Sequence, residues 1–303
     1  MKIRLFVPKT GDLAYTEIPK CACSTVKQYL NAVACGAFHD GDIHHTHPGL
    51  LRWRYDRLRI LSRLLRRRHH HFTFVRNPHA RLVSAFYDKV INPQADGRMY
   101  GKAPLRAAID AYGITADVDP ILAFRRFVVL ARDSVLFADP VEADIHWMPM
   151  AWHAASAMRL GFAYDEVFHV ESFATDLRGL MERLAPGRAA EWAEVRVFNE
   201  SARDGVRRTA PVAAHYDTTS RLLVQEAFRD DFAAFGYSTD PDVAAARPVA
   251  VAEVNARLVE VRRRAPWRVS GRRRGPIHRL IPADEGSVLA ADDGFVDLRM
   301  AQR

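Results

Sequence analysis

From residue 18 to residue 25 the chain reads Ile18-Pro19-Lys20-Cys21-Ala22-Cys23-Ser24-Thr25. Small residues follow a lysine, and the run ends in two hydroxyls. Set between a strand and a helix, such a loop points several unpaired backbone N–H groups at one spot, and the helix dipole adds to them. Ala22, Cys23 and Ser24 are small enough to let an anion reach the backbone. Ser24 and Thr25 add hydroxyl donors, and Lys20 adds a positive charge. The chemistry is that of holding a phosphate or sulfate group. The order is not GxxxxGK[ST], because the lysine precedes the small residues. A helix that follows a turn and is capped by Ser24 or Thr25 would read the same way.

A second constellation is Phe74-Val75-Arg76-Asn77-Pro78-His79-Ala80-Arg81-Leu82-Val83-Ser84-Ala85-Phe86. Arg76, at a strand end, can make a bidentate contact to a phosphate. Ser84 lies two turns into the helix that follows. Taken alone, Arg76 is equally an ordinary strand-end charge and Ser84 a small packing residue.

Several histidines could move a proton. His44 stands in Asp42-Ile43-His44-His45-Thr46-His47, and His146 in Ile145-His146-Trp147-Met148-Pro149. His44 is the first candidate for a general base and His146 the second. The run His69-His70-His71 reads as a solvated lead-in to a strand. Cys21-x-Cys23 with the histidines at 44–47 could suggest zinc, but the pair has no second cysteine pair, and a metal is not expected.

These residues need elements to hold them. Ile3–Val7 and Ala14–Ile18 read as a hairpin of strands, and Thr25–Ala34 as a helix. Leu51–Leu65 reads as an amphipathic helix with Leu51, Tyr55, Leu58, Leu61 and Leu65 as its stripe and arginines on its other faces. Phe72–Val75 reads as a buried strand and Pro78 to about Val90 as a helix, with Pro at a tolerated early position. Residues 104–160 read as helical, Glu166–Ser172 as a strand, and Phe173–Leu184 and Tyr216–Phe235 as helices. Strand, helix, strand in this order predicts an α/β fold: a central, mainly parallel sheet flanked by helices.

Together the two constellations resemble the sulfotransferase superfamily, specifically the carbohydrate sulfotransferases that include chondroitin 4-O- and HNK-1-type enzymes. IPKCACST resembles that family's loop for the 5′-phosphosulfate of 3′-phosphoadenosine 5′-phosphosulfate (PAPS). FVRNPHARLVSAF resembles its segment for the 3′-phosphate. Weaker similarities continue through residues 145–149, Tyr164-Asp165, Val170–Phe173 and Asp231–Tyr237, so the resemblance covers roughly residues 14 to 237. It implies a P-loop NTPase-like, sulfotransferase-like topology and sulfuryl transfer from PAPS to a hydroxyl of a glycan or glycolipid, without a metal. Lys20, Cys21, Ala22, Cys23, Ser24 and Thr25 would cradle the 5′-phosphosulfate, and Arg76 and Ser84 the 3′-phosphate. Asn77 stands where many members have Asp. Asn199-Glu200-Ser201 with Arg203, Arg207 and Arg208 resembles a later segment that closes over the nucleotide.

The bulk numbers fit this expectation. The chain has 303 residues and a formal charge of +8, which favours anionic ligands. The three cysteines do not make a disulfide framework, and the four-residue apolar run near the start is too short for a signal-peptide core, so the chain reads as a cytoplasmic enzyme of bacterial type. Residues 1–240 read as the catalytic domain and 241–303 as a weakly structured basic extension. Its arginines and those of 52–68 could meet an anionic membrane surface; nucleic acid is not expected, because no aromatic residues interleave them. Two rival readings remain. A kinase-like phosphoryl transferase would need a Mg²⁺ site that the sequence does not place. A polyanion-binding protein on the same scaffold would not depend on Lys20.

Overall fold

The computed structural model describes residues 2–66, 68–95, 103–115, 117–137, 144–184, 187, 194–198 and 210–264. Strands β1 (Leu5–Pro8) and β2 (Leu13–Thr16) form an antiparallel hairpin. Gly11 supplies the left-handed turn residue between them, at φ 74. The short strand β3 (Leu50–Arg52) pairs antiparallel with β1. Strand β4 (His70–Val75) pairs parallel with β2, and β5 (Glu166–His169) pairs parallel with β4. The sheet order is therefore β3-β1-β2-β4-β5, and every strand but β1 runs the same way.

Alternation along the strands gives the sheet two apolar faces. Phe6, Leu13, Tyr15, Phe72 and Phe74 belong to the main core, covered by helix α1 (Cys23–Cys35) and the helices after β4. Leu5, Val7, Ala14 and Leu51 form a smaller cluster on the other side with Ile60 of α2 (Arg57–Arg66). Helix α3 (Pro78–Phe86) begins at Asn77, whose side chain accepts from His79 N and Ala80 N. It runs into a π-helical turn, Tyr87–Ile91, and then α4 (Asn92–Ala95). Helices α5 (Ala103–Ala111), α6 (Pro120–Leu136) and α7 (Met150–Ala157) follow. After β5 come α8 (Phe173–Leu184), α9 (Thr218–Ala227), α10 (Arg229–Phe235) and α11 (Val251–Arg264).

The α/β expectation holds, with local departures. The expected helix Leu51–Leu65 opens as strand β3, because Leu50 and Leu51 fill the edge beside β1. Its expected apolar stripe also points outward. Of the residues of α2 only Ile60 is buried, whereas Leu58 and Leu65 are 83% and 86% exposed. The histidine run is not a solvated lead-in. His70 already pairs with Leu13, and His71 is buried, sharing a hydrogen bond with Thr16 Oγ1 at 2.8 Å. The expected helix Tyr216–Phe235 breaks at Phe228, which leaves helical geometry with φ −111 and buries its ring.

The reading of 241–303 as a weakly structured extension needs correction for residues 241–264; residues 265–303 lie outside the described residues. The chain turns back at Gly236, where a Cβ would lie 2.6 Å from Arg247 O. Val254, Leu258 and Val261 of α11 then enter the main core. Asn255 is tied to Tyr164 in both directions, accepting from its N at 2.9 Å and donating to its O at 2.8 Å. Burial of one helical face holds this helix despite its arginines. No helix among the described residues is long and apolar enough to cross a membrane.

Candidate active site

The loop between β2 and α1 has the geometry of an anion cradle. Lys20 and Ala22 both adopt left-handed backbone conformations, at φ 67 and φ 55. Neither is a glycine, and such residues cost about 1–3 kcal/mol each, a strain that persists where the surrounding structure over-determines it. Alternating left- and right-handed residues turn successive N–H groups toward one concavity. Ala22 is the N-cap of α1, and no side chain caps the helix. The expected cap at Ser24 or Thr25 is not the one found: both residues lie inside α1, and the N-cap position belongs to Ala22, which makes no side-chain cap bond.

The flanking side chains do other work. Cys21 lies in the core with its Sγ 3.6 Å from Met150 Sδ, and burial pushes its thiol up to about 12, so it supplies shape rather than charge. Burial also raises the Cys23 thiol. Thr25 Oγ1 accepts from Phe198 N at 3.0 Å and donates to Phe198 O at 3.3 Å. Its hydroxyl thus anchors segment 194–198 over the start of α1. Asn199, Glu200, Ser201, Arg203, Arg207 and Arg208 lie outside the described residues.

Lys20 Nζ donates to Asp88 Oδ2 at 2.9 Å. Burial lowers the Lys20 ammonium and Asp88 raises it again. Arg76 follows β4 at the same sheet edge as the loop and donates from NH1 to Lys20 O at 3.4 Å. Ser84 is part-exposed on α3, two turns beyond. Thus Lys20 and Arg76 are brought together, with Ser84 on the adjoining helix.

His44 belongs to a buried charge network. Lys27 and Glu17 are each 1% exposed and pair at 3.0 Å, with Arg4 on the other Glu17 oxygen. Lys27 Nζ also donates to His44 Nδ1 at 2.8 Å. An ammonium has no lone pair, so Nδ1 must accept and the imidazole proton sits on Nε2. Nε2–H then donates to Ser24 Oγ at 2.6 Å. Burial first, and then the Lys27 charge, hold His44 down at about 4, so the ring is neutral at ordinary pH. Glu17, Cys23 and His44 place one donor atom each within 4.8 Å of one another. The Lys27 ammonium already takes up the carboxylate and the imidazole of that trio.

His146 has the opposite tautomer. Its Nδ1 lies 2.6 Å from Asp144 Oδ1, which also accepts from the His146 backbone N at 2.8 Å. A carboxylate can only accept, so Nδ1 carries the proton and Nε2 the lone pair. Burial lowers this imidazole, Asp144 raises it, and the charges of Lys89 and Lys20 lower it.

Arg81, which the motif contains but which sequence reasoning gave no role, joins these parts. Buried at 2% exposure, it donates from Nε to Pro19 O at 2.9 Å and from NH1 to Met148 O at 2.8 Å. It thereby ties the phosphate loop to the segment bearing His146. Asp88, Lys27 and Glu17 were also missed. The only sequence signal for Lys27 was its rarity, as one of six lysines. Asn77 explains its own departure from Asp: its amide donates to Val243 O at 3.1 Å, which a carboxylate could not do.

The sulfotransferase family pattern matches residues 4–238. The chain is 30% identical over 243 residues to carbohydrate sulfotransferase 8 of Mus musculus, covering 78% of this chain and 56% of that protein. The Homo sapiens protein of the same name is also 30% identical, with 78% and 55% covered. Carbohydrate sulfotransferase 9 of Homo sapiens is 26% identical, with 78% and 53% covered. The chain spans about half the length of the curated relatives it matches. No solved structure matches this chain. The match runs through the left-handed loop between β2 and α1 and covers most of the chain, and the chain belongs to the sulfotransferase family.

Proposed function

We propose that the chain transfers a sulfuryl group from PAPS to a hydroxyl of a glycan, with 3′-phosphoadenosine 5′-phosphate as the product nucleotide. The observation that carries this reading is the open cradle at Lys20–Ser24, whose helix N-terminus has no side-chain cap. The 5′-phosphosulfate fits there, on backbone N–H groups and the Ser24 hydroxyl. Arg76, with Ser84 on the next helix, takes the 3′-phosphate. Arg207 and Arg208 belong to the same proposal as closing cations. The names of the curated relatives support a carbohydrate acceptor. A glycolipid acceptor, work at a membrane surface and a cytoplasmic location are finer parts of the proposal.

In the transfer, the acceptor oxygen attacks sulfur and forms a new S–O bond while the bond to the bridging phosphate oxygen breaks. Negative charge develops on that bridging oxygen, and Lys20 with the loop N–H groups stabilises it there. The acceptor proton passes to a base. His44 was the first candidate from sequence, but its Nε2 already holds a proton while Lys27 occupies Nδ1. His146 has its lone pair on Nε2 and a carboxylate behind it, so the base role goes to His146 with Asp144 as its orienting partner. His44 is then a positioning residue for Ser24.

The test is isothermal titration with 3′-phosphoadenosine 5′-phosphate, adenosine 5′-phosphate and ATP, on wild type and Arg76→Ala. Binding that needs both the 3′-phosphate and Arg76 supports the reading. No binding, or a preference for ATP, overturns it in favour of polyanion binding or phosphoryl transfer.

A further inference from the structure

Helix α2 buries one side chain and offers the rest to its surroundings. Ile60 is its only buried residue, and Leu64 packs part-buried beside it against the smaller core cluster. On the outer side Leu58, Leu61 and Leu65, at i, i+3 and i+7, form one strip; Leu58 is 83%, Leu61 37% and Leu65 86% exposed. At 3.6 residues per turn, Arg57 flanks that strip on one side and Arg59 and Arg66 on the other, and all three are exposed. Just before the helix, Tyr55 is 68% exposed and lies between the guanidinium groups of Arg52 and Arg54, at 5.5 and 5.3 Å from its ring. Beside the helix is a groove of about 450 Å³ lined by Lys9, Leu51, Leu58, Arg59, Ser62 and Arg63.

An exposed row of leucines in a chain that has ample core elsewhere needs an apolar partner. Arginines on both margins of the row select that partner by charge. A protein surface that complemented this row would have to present an apolar ridge between two acidic rails. An anionic bilayer presents the same combination everywhere: phosphate groups at the level of the arginines and acyl chains below them. The groove brings Lys9, Arg59 and Arg63 beside Leu51 and Leu58, the combination of cation and apolar surface that one such amphiphile would meet.

We propose that α2 is an interfacial helix that seats this protein on an anionic lipid surface. Only the start of α2 lies at the catalytic edge; the helix then runs back across the sheet to the β1–β2 turn, where Arg63 donates to Gly11 O at 2.7 Å. Phe6 pairs with Arg52 and Leu5 with Thr16, so the end of β3 that leads to α2 is the end of the sheet from which the phosphate loop starts. The start of α2 is thus near the transfer site while its later residues run toward the far end of the sheet, so the seat does not by itself select a lipid-linked acceptor. The docking inference stands without that acceptor, and its failure leaves the nucleotide titration unaffected.

The experiment is co-sedimentation of the full chain with vesicles of phosphatidylcholine alone or mixed with phosphatidylglycerol, at low and high salt. Wild type is expected to sediment with the anionic vesicles only, and to be released by salt. Leu58→Glu with Leu65→Glu should remove binding, and Arg57→Ser with Arg59→Ser and Arg66→Ser should weaken it on the order of a hundredfold. Both sets change exposed side chains, so thermal unfolding should match wild type. Three results overturn the proposal: no binding to anionic vesicles, binding unchanged in both variants (which would move it to residues 265–303), or a wild-type dimer that the leucine variant turns into a monomer while vesicle binding persists.

Discussion

Lys20 Nζ lies 2.9 Å from Asp88 Oδ2, so the cation assigned to the leaving group rests on a carboxylate. Asp88 sits in the π-helical turn Tyr87–Ile91, a form that recurs at functional sites. Burial pushes this carboxyl up, but Lys20 outweighs it, with help from Lys89, and holds it at about 2. The pair keeps Lys20 charged despite its burial, and it also sets a negative charge beside the anion cradle. Asp88→Asn should therefore tighten 3′-phosphoadenosine 5′-phosphate by roughly three- to tenfold at low salt, less at high salt. Titration calorimetry checks this. Weaker binding would mean that Asp88 builds the loop rather than competing for its cation.

His44 and Ser24 share one hydrogen bond, fixed from behind by Lys27. If His44 positions Ser24, then His44→Ala and Ser24→Ala should each weaken nucleotide binding by about five- to tenfold, the worth of one hydrogen bond near 1 kcal/mol. The double variant should lose little more than either single one. If His44 were the base, His44→Ala would instead spare binding and remove turnover. Binding and single-turnover rates measured side by side separate the two.

The sequence was most informative where local chemistry decides structure. Pro78 marked the start of α3, and the small residues after Lys20 marked the turn into α1. It was least informative where contacts cross long separations. Lys20 meets Asp88, Lys27 meets His44 and Arg81 meets Met148 through the folded sheet, and no spacing rule relates those pairs. The outward stripe of α2 is a different failure. Helical periodicity locates an apolar face but not what covers it, and strand β3 takes Leu51 for the core and leaves Leu58 and Leu65 outside.

His146 and Asp144 make a prediction about rate rather than binding. His146→Gln should lower turnover by about two to four powers of ten while nucleotide affinity stays near wild type. Asp144 raises the imidazole, so Asp144→Asn should move the acid limb of the turnover-against-pH curve to lower pH while lowering its plateau. A limb that stays in place would detach Asp144 from the base. Steady-state rates across pH, with saturating donor, give both readings.

Stability should depend on pH through histidines that the fold keeps neutral. Burial and then Lys27 hold His44 at about 4, burial holds His71 at about 3, and burial with Arg221 holds His79 at about 4. In the unfolded chain each would titrate near the ordinary value of about 6.5. Between those limits the unfolded state binds more protons than the folded one, so the slope of unfolding free energy against pH is positive. The stabilisation is fully present above about 6.5 and is lost as pH falls toward the folded values. Urea unfolding should therefore show a midpoint that is flat near neutral pH and drops steadily on acidification. His79 faces Tyr216 and Phe232 rather than a polar partner, so His79→Phe should flatten the slope without removing a hydrogen bond between side chains. An unchanged slope in that variant would overturn the part assigned to His79 and leave the acid loss to His44 and His71.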